Sequence, residues 1–448
     1  LYMIKESAFE SSAVTTIDLS ACKNLARIYQ NAFKDCTNLT TVNFATFASS
    51  AEFTTKLAIL DRAFSGCTKL TTVTFPENLS TLGSYAFENC TKLASVNFIG
   101  NAMFQKEESE EDPKFDTAGL ITSIGEGAFI NCASLTSVSL PRIIDTIGSY
   151  AFKGCTQLAS FTMVQDMDTI YTSALRTIGE GAFADCTALT NFDEDTSRFV
   201  TTLGVSAFEN CSSLARINMQ AVNEFTDKAF RNCEKLSTVT VRSNATIIVG
   251  NETFKNCKTL KEIDGKFMAV GDGAFMNCTS LMSVTLAQGE TDTLGKDAFN
   301  GCVLLQSVVI PKNIAIIGDG AFAGCRGITS VSFEADDTLE NIGIAAFSGC
   351  ILLSDISLPS SVKYVGASAF GGCNDLRNVV IGETIEYIGE DAFALCDNVS
   401  VKFLGTRAPA LGGDIFTGAQ NYVIYVLSGY ENAFNTTEGW GKYTLTSY

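Results

Sequence analysis

The stretch IGEGAFINCASLTSVSLP, Ile124 to Pro141, returns as IGDGAFAGCRGITSVSF from Ile317 to Phe333 and as IGEDAFALCDNVSVKF from Ile388 to Phe403. A single copy is too short to bury its own apolar side, so a chain written this way folds by stacking copies against one another. That recurrence overrides the about two to four independent domains that a length of 448 residues would otherwise suggest.

Alignment on cysteine sets the unit. Sixteen cysteines run from Cys22 to Cys396, and after Cys186 they recur every 21 to 25 residues. A Phe stands three residues before each of them except Cys22, which has Leu19 there. An aliphatic residue follows three later (Leu135, Leu158, Leu189, Leu214), then Val138, Phe161 or Ile217 three further on, then Leu140, Met219 or Ile310. The unit is I-G-x-x-A-F-x-x-C-x-x-L-x-x-V-x-L with a modal length of 23. Phe and Cys at i and i+3 lie on one face of a helical turn, whereas V-x-L alternates with the period of a strand. The expectation is an α/β solenoid of about 17 rungs, with a parallel sheet on one face and short helical turns on the other, its stacked rungs spanning on the order of 80 Å on the strand side.

These residues resemble the BspA-type leucine-rich repeats, whose unit is this I-G-x-x-A-F-x-x-C-x-x-L-x-x-V-x-L-P pattern, over roughly Ala8 to Phe403. The segment Ala408 to Tyr443 is similar to the family's closing strand and helix, with Trp440 at the place of a usual cap tryptophan; where that cap commonly has Pro after I-Y-V, this chain has Leu427. The resemblance implies a leucine-rich-repeat solenoid over residues 1–404 and a C-terminal cap over 405–448. It also implies an extracellular or cell-surface protein, displayed on anaerobic bacteria or some protists and associated with adhesion to host or microbial partners.

Composition narrows the chemistry. Histidine is absent, which removes Ser-His-Asp and Cys-His nucleophilic pairs, His-ligated zinc and imidazole acid/base work. Acidic residues outnumber basic ones 49 to 31, a net charge of −18 that repels a phosphate backbone, so nucleic acid is not an expected partner. No apolar run approaches the roughly 20 residues needed to cross a bilayer, and no membrane insertion is expected. No signal peptide is legible, and because Leu1 opens in mid-repeat the expectation is that an upstream segment was removed or left out.

An even count of cysteines invites a disulfide reading. Equivalent residues on stacked strands, however, are about 4.8 Å apart and point the same way, farther apart than the Cβ separation of about 3.5 to 4.5 Å that a disulfide needs. A buried ladder of reduced thiols is expected, with no metal site, since no C-x-x-C pair occurs. The pairs Gly125/Gly127, Gly179/Gly181, Gly271/Gly273 and Gly318/Gly320 miss the dinucleotide fingerprint and are read as a turn that needs glycine's permissive backbone. No cofactor is expected.

Function must then lie in what differs between rungs. The outward strand positions are mostly small and polar: Thr72 and Thr74, Ser95 and Asn97, Ser137 and Ser139, Ser283 and Thr285, Ser330 and Ser332. Four consecutive rungs depart from this with Asn191 and Asp193, Arg216 and Asn218, Thr238 and Thr240, Glu262 and Asp264. Aligned across rungs they form a mixed-charge patch suited to a host or microbial surface protein or a glycan. Cysteine spacings of 31, 42 and 31 mark inserted loops near residues 45–56, 99–120 and 164–175, the second carrying QKEESEEDPK with Glu107, Glu108, Glu110, Glu111 and Asp112. The calcium-loop spacing is absent from it, and a solvated charge run is expected. A noncatalytic, monomeric recognition or adhesion protein is the leading reading. A carboxylate-dependent glycan-processing enzyme using Asp193, Glu262 and Asp264, or a structural spacer, are the rivals.

Overall fold

The computed structural model describes residues 1–47, 55–98, 120–141, 143–163, 175–192, 197–289, 291–335 and 338–448. The chain divides into two compact units, Leu1–Val222 with Asn232–Val241 and Asn223–Arg231 with Arg242–Tyr448. Both are parallel β-solenoids, together about 17 turns.

Each rung contributes to two ladders. The V-x-L half makes the longer one: in the first unit, Thr16–Asp18, Thr41–Asn43, Thr72–Phe75, Ser95–Phe98, Ser137–Leu140, Ser160–Met163 and Asn191–Phe192 form a seven-stranded parallel sheet. The residues just before the I-G glycine make the shorter one, as in Ser123–Ile124, Thr146–Ile147, Thr177–Ile178 and Thr202–Leu203. The second unit repeats the scheme, with a six-stranded lateral ladder running from Thr293–Leu294 to Ala410–Leu411.

The expected helical turns are not there. The A-F-x-x-C segments are successive turns, and the described residues are nearly helix-free. Two left-handed residues four apart prevent a helix: Gly127 (φ 54°) and Asn131 (φ 60°) in one rung, Gly320 (φ 62°) and Gly324 (φ 68°) in another. Alternate N–H groups then serve different partners. Ala128, Ile130 and Cys132 donate three residues back, to Gly125, Gly127 and Phe129 carbonyls at 3.0–3.2 Å, while Gly127, Phe129 and Asn131 donate to Ser149, Ala151 and Lys153 of the next rung at 2.7–2.8 Å. The i, i+3 spacing of Phe and Cys is common to a helical turn and to a β-turn, so the apolar pattern could not separate them.

The core is built of columns. In the first unit the rings of Phe9, Phe33, Phe64, Phe87, Phe129, Phe152, Phe183 and Phe208 stack at 5.0–5.6 Å and within 13° of parallel. In the second, Phe230 to Phe393 stack at 5.2–5.7 Å. All sixteen cysteines are free thiols; Cys22 is half-buried and the others are buried. The thiols are not merely apolar filler. Every cysteine from Cys36 to Cys396 donates its S–H to the Phe carbonyl of the preceding rung, at 2.9–3.3 Å. At the C-terminal end the buried Trp440 donates Nε1–H to the Pro409 carbonyl at 2.8 Å and meets Phe403, Phe434 and Tyr443 edge to face.

One backbone explanation does not cover both glycines of the I-G-x-G pairs. Gly127 is left-handed, but Gly125 is not: a Cβ there would sit 2.5 Å from the Leu82 carbonyl oxygen, so the first glycine is required by close approach of neighbouring rungs. Gly127 is also roofed. Tyr85, left-handed at the equivalent position of the preceding rung (φ 58°), lays its ring where a Gly127 Cβ would be, 2.5 Å from Cε1, and its hydroxyl donates to Glu126 Oε1. Tyr150 covers Gly181 in the same way and donates to Glu180.

Candidate functional site

Along each strand, alternate side chains point inward to the core and outward to solvent. In Thr72–Phe75, Val73 and Phe75 are buried while Thr72 and Thr74 face out, and the outward groups of adjacent rungs interact: Ser95 Oγ donates to Thr72 Oγ1 and Asn97 Nδ2 to Thr74 Oγ1, both at 3.4 Å. In the second unit the Ser354 hydroxyl donates to Asp355 Oδ2 and Asn378 Nδ2 to Asp355 Oδ1, and these bonds, Ser354 foremost, hold the Asp355 carboxyl below its ordinary range.

Within the first unit the patch read from the sequence resolves into one described cluster. Arg216–Asn218 and Thr238–Thr240 are hydrogen-bonded parallel strands with Arg216 opposite Thr238 and Asn218 opposite Thr240, and Ile217 and Val239 turned into the core. Arg216 and Thr238 are exposed, Asn218 and Thr240 half-buried. Asn218 Oδ1 is shielded from solvent and has no hydrogen-bond partner among the described residues. Asn191 is exposed at the end of the seven-stranded ladder, opposite Ser160. Asp193 lies outside the described residues, as do most of the three inserted loops and the QKEESEEDPK run.

Glu262 and Asp264 belong to the second unit and differ from expectation. The strand there is Gly265–Val270, so the two carboxylates fall in the irregular segment before it. Gly265–Val270 leads instead into the Gly271 turn and runs alongside Ala245–Val249, with a register shift at Ile247/Ile248. Both carboxylates are exposed.

Other groups with chemical potential lie outside this cluster. Burial pushes the Cys90 and Cys155 thiols up to about 12 and Cys396 up to about 11, partly offset by backbone hydrogen bonds, so these sulfurs are protonated and poor nucleophiles at neutral pH. Tyr364 and Tyr387 are exposed register partners on the lateral ladder, and Tyr364 donates to Glu386 Oε2 at 2.8 Å while Lys363 pairs with Glu340 at 2.8 Å. Among the described residues no group of three or more Cys, Asp or Glu side chains is arranged to hold a metal ion, and no helix is long and apolar enough to cross a membrane.

The family model described as BspA type leucine rich repeat region (6 copies) matches residues 1–54, 49–159, 97–176, 171–282 and 268–400. The chain belongs to the BspA-type leucine-rich repeat family. Solved structures similar to this BspA-type chain include a leucine-rich repeat protein from Bacteroides ovatus, 22% identical over 90% of this chain and 82% of that one, with a TM-score of 0.37. A leucine rich cell surface protein from Faecalibacterium prausnitzii is 22% identical over 85% and 83%, with a TM-score of 0.32. The T. pallidum leucine rich repeat protein is 26% identical over 42% and 72%, with a TM-score of 0.31. No curated protein matches the chain.

Proposed function

We propose that this BspA-type chain is a noncatalytic recognition protein of a cell surface, binding a protein or glycan of a host or microbial partner across its outward strand face. The observation that carries the reading is the laddered pair Arg216–Asn218 and Thr238–Thr240, which holds a guanidinium, an amide and two hydroxyls on adjacent rigid strands. Side chains fixed by a ladder lose less freedom on binding than side chains on a loop, and Arg supplies directional donors to carboxylates, carbonyls or sugar hydroxyls. Asn191, and with it Asp193, Glu262 and Asp264, are proposed as further contacts. The glycosidase alternative is disfavoured because a general acid needs a water-excluding pocket to raise its pKa, and Glu262 and Asp264 are open to solvent.

The test is a screen of the whole chain against host-matrix proteins and a glycan array, followed by Arg216→Glu on whatever binds. The variant is expected to weaken binding by about tenfold or more, the scale of a central interface residue, with circular dichroism unchanged. Unaltered affinity, with loss on removing residues 99–120, would move the site to the inserted loop.

A further inference from the structure

The strand-face ladder of the second unit is interrupted between Thr285–Leu286 and Ser307–Ile310 and again between Ser330–Phe333 and Asp355–Ser357, and a groove opens at the second of these. Ser330–Phe333 is paired with Ser307–Ile310 on one side and Asp355–Ser357 with Asn378–Ile381 on the other, yet among the described residues no backbone hydrogen bond joins their two facing edges. Here Cys325 to Cys350 spans 25 residues where the rungs on either side span 23, and the two extra residues fall between Phe333 and Leu339. The groove at this break is a solvent-open depression with a volume of about 520 Å³. Its lining includes the half-exposed Phe333 ring, the exposed hydroxyls of Ser332, Ser357 and Ser360, and the Glu334 carboxylate. Glu334 Oε2 is oriented by the Lys312 backbone N–H at 3.2 Å.

We propose that this groove is a binding site for a neutral oligosaccharide, separate from the Arg216 cluster and resting on its own residues. Hydroxyls that both donate and accept, a fixed carboxylate and unpaired backbone N–H and C=O groups match the dense, two-way hydrogen bonding of a sugar. The Phe333 ring supplies an apolar face for the C–H side of a pyranose. Charge selects among sugars: the lining carries a carboxylate and no basic residue, on a chain of net charge −18, so phosphorylated, sulfated or sialylated ligands are repelled. An extended peptide would add to either bare edge by backbone bonding, but its recognition uses pockets for alternate side chains, and serines form the outward walls here.

The test uses the full chain and its Ser332→Trp and Glu334→Gln variants, with cellotetraose, chitotetraose and mannotetraose as probes read by saturation-transfer NMR and calorimetry. At least one tetrasaccharide is expected to bind at millimolar concentration or tighter. Ser332→Trp, which fills the groove from an exposed position, weakens that binding by about tenfold or more, and Glu334→Gln by severalfold, with thermal unfolding unchanged. Arg216→Glu leaves it unaltered, which separates this site from the strand-face cluster. Binding of none of the probes, or binding that survives Ser332→Trp, overturns the proposal. So does saturation of the groove by an acetylated Thr-Val-Thr-Val-Thr peptide in preference to every sugar, which would make the break a strand-capture site.

Discussion

Replacing Phe322 by alanine tests the column architecture most directly. The ring is fully buried and lies between Phe299, 5.3 Å away and 6° from parallel, and Phe347, 5.2 Å away at 8°. Removing it forfeits transfer energy, leaves a cavity and breaks two ring contacts, for a cost of about 4–5 kcal/mol. Phe9 is the internal control. It is 42% exposed and stacks on Phe33 alone, at 5.1 Å. With roughly 60% of the burial and one ring contact instead of two, Phe9→Ala is expected to cost about 1.5–2 kcal/mol. Because a solenoid's stability is a sum of rung and nearest-neighbour terms, the assay is residue-resolved hydrogen exchange rather than a single melting temperature. In Phe322→Ala, protection should fall in the rungs of Phe299, Phe322 and Phe347, and stay near its original value several rungs away. Equal costs for the two substitutions, or uniform loss of protection along the chain, would refute the account of a core held rung by rung.

The remaining predictions concern the thiols, the glycines and the acidic loop. Iodoacetamide should label Cys22 ahead of every other cysteine in the native protein, and all sixteen sulfurs after denaturation without reductant; recovery of eight or fewer would mean disulfides. Since burial raises the Cys90, Cys155 and Cys396 pKa values from 9.0 to about 11–12, these thiols stabilise the fold fully below pH 9. That stability is lost as pH rises through the folded values, by about 1.4 kcal/mol per pH unit for each thiol that ionises on unfolding. Urea midpoints measured in reductant should therefore drop steeply from pH 8.5 to 11, and a flat profile would contradict the buried ladder. Gly125→Ala presses on backbone and should cost about 2–3 kcal/mol whatever its neighbours, whereas Gly127→Asn should be rescued by Tyr85→Ala in a double-mutant cycle, since the obstacle there is a side chain. Deleting Glu107 to Asp112 should change stability far less than Phe322→Ala; a comparable loss would place those acids in a folded element.

Much of this architecture can be read from spacing alone, because each rung repeats the same demand for burial. The Phe, Cys, Leu and Val positions of the unit mark the core columns, and the V-x-L half marks the longer ladder. What escapes is conformation that apolar spacing does not encode. A helical turn and a pair of β-turns both bring i and i+3 together, and the signal that separates them is the glycine or asparagine recurring before cysteine, as at Asn131 and Gly324, where the backbone is left-handed. The candidate site was legible only in part. Arg216, Asn218, Thr238 and Thr240 share a ladder as their alternation predicts, but Glu262 and Asp264, at the equivalent alternating positions of the next rung, precede the strand Gly265–Val270 rather than lying in one. The groove beside Phe333 falls in a 25-residue rung between two of 23, but rung length does not announce it, since the ladder stays paired across the 42-residue spacing from Cys90 to Cys132.

The tyrosine roofs over Gly127 and Gly181 impose a parity on the array. Down that column the residues run Tyr85, Gly127, Tyr150, Gly181, bulky and bare in alternation. The sulfur-to-carbonyl joints are the same at every step, so recombination between repeats could remove or add a rung anywhere as far as the thiols are concerned. Across these four rungs the choice of rung matters: excising the Gly127 rung alone would set Tyr85 beneath Tyr150, with two rings competing for the space of one, whereas excising the Tyr150 rung alone brings two glycines together, and excising both rungs places Tyr85 over Gly181 and restores the fit. In this stretch a tyrosine rung can be lost by itself, but the Gly127 rung only together with a tyrosine beside it.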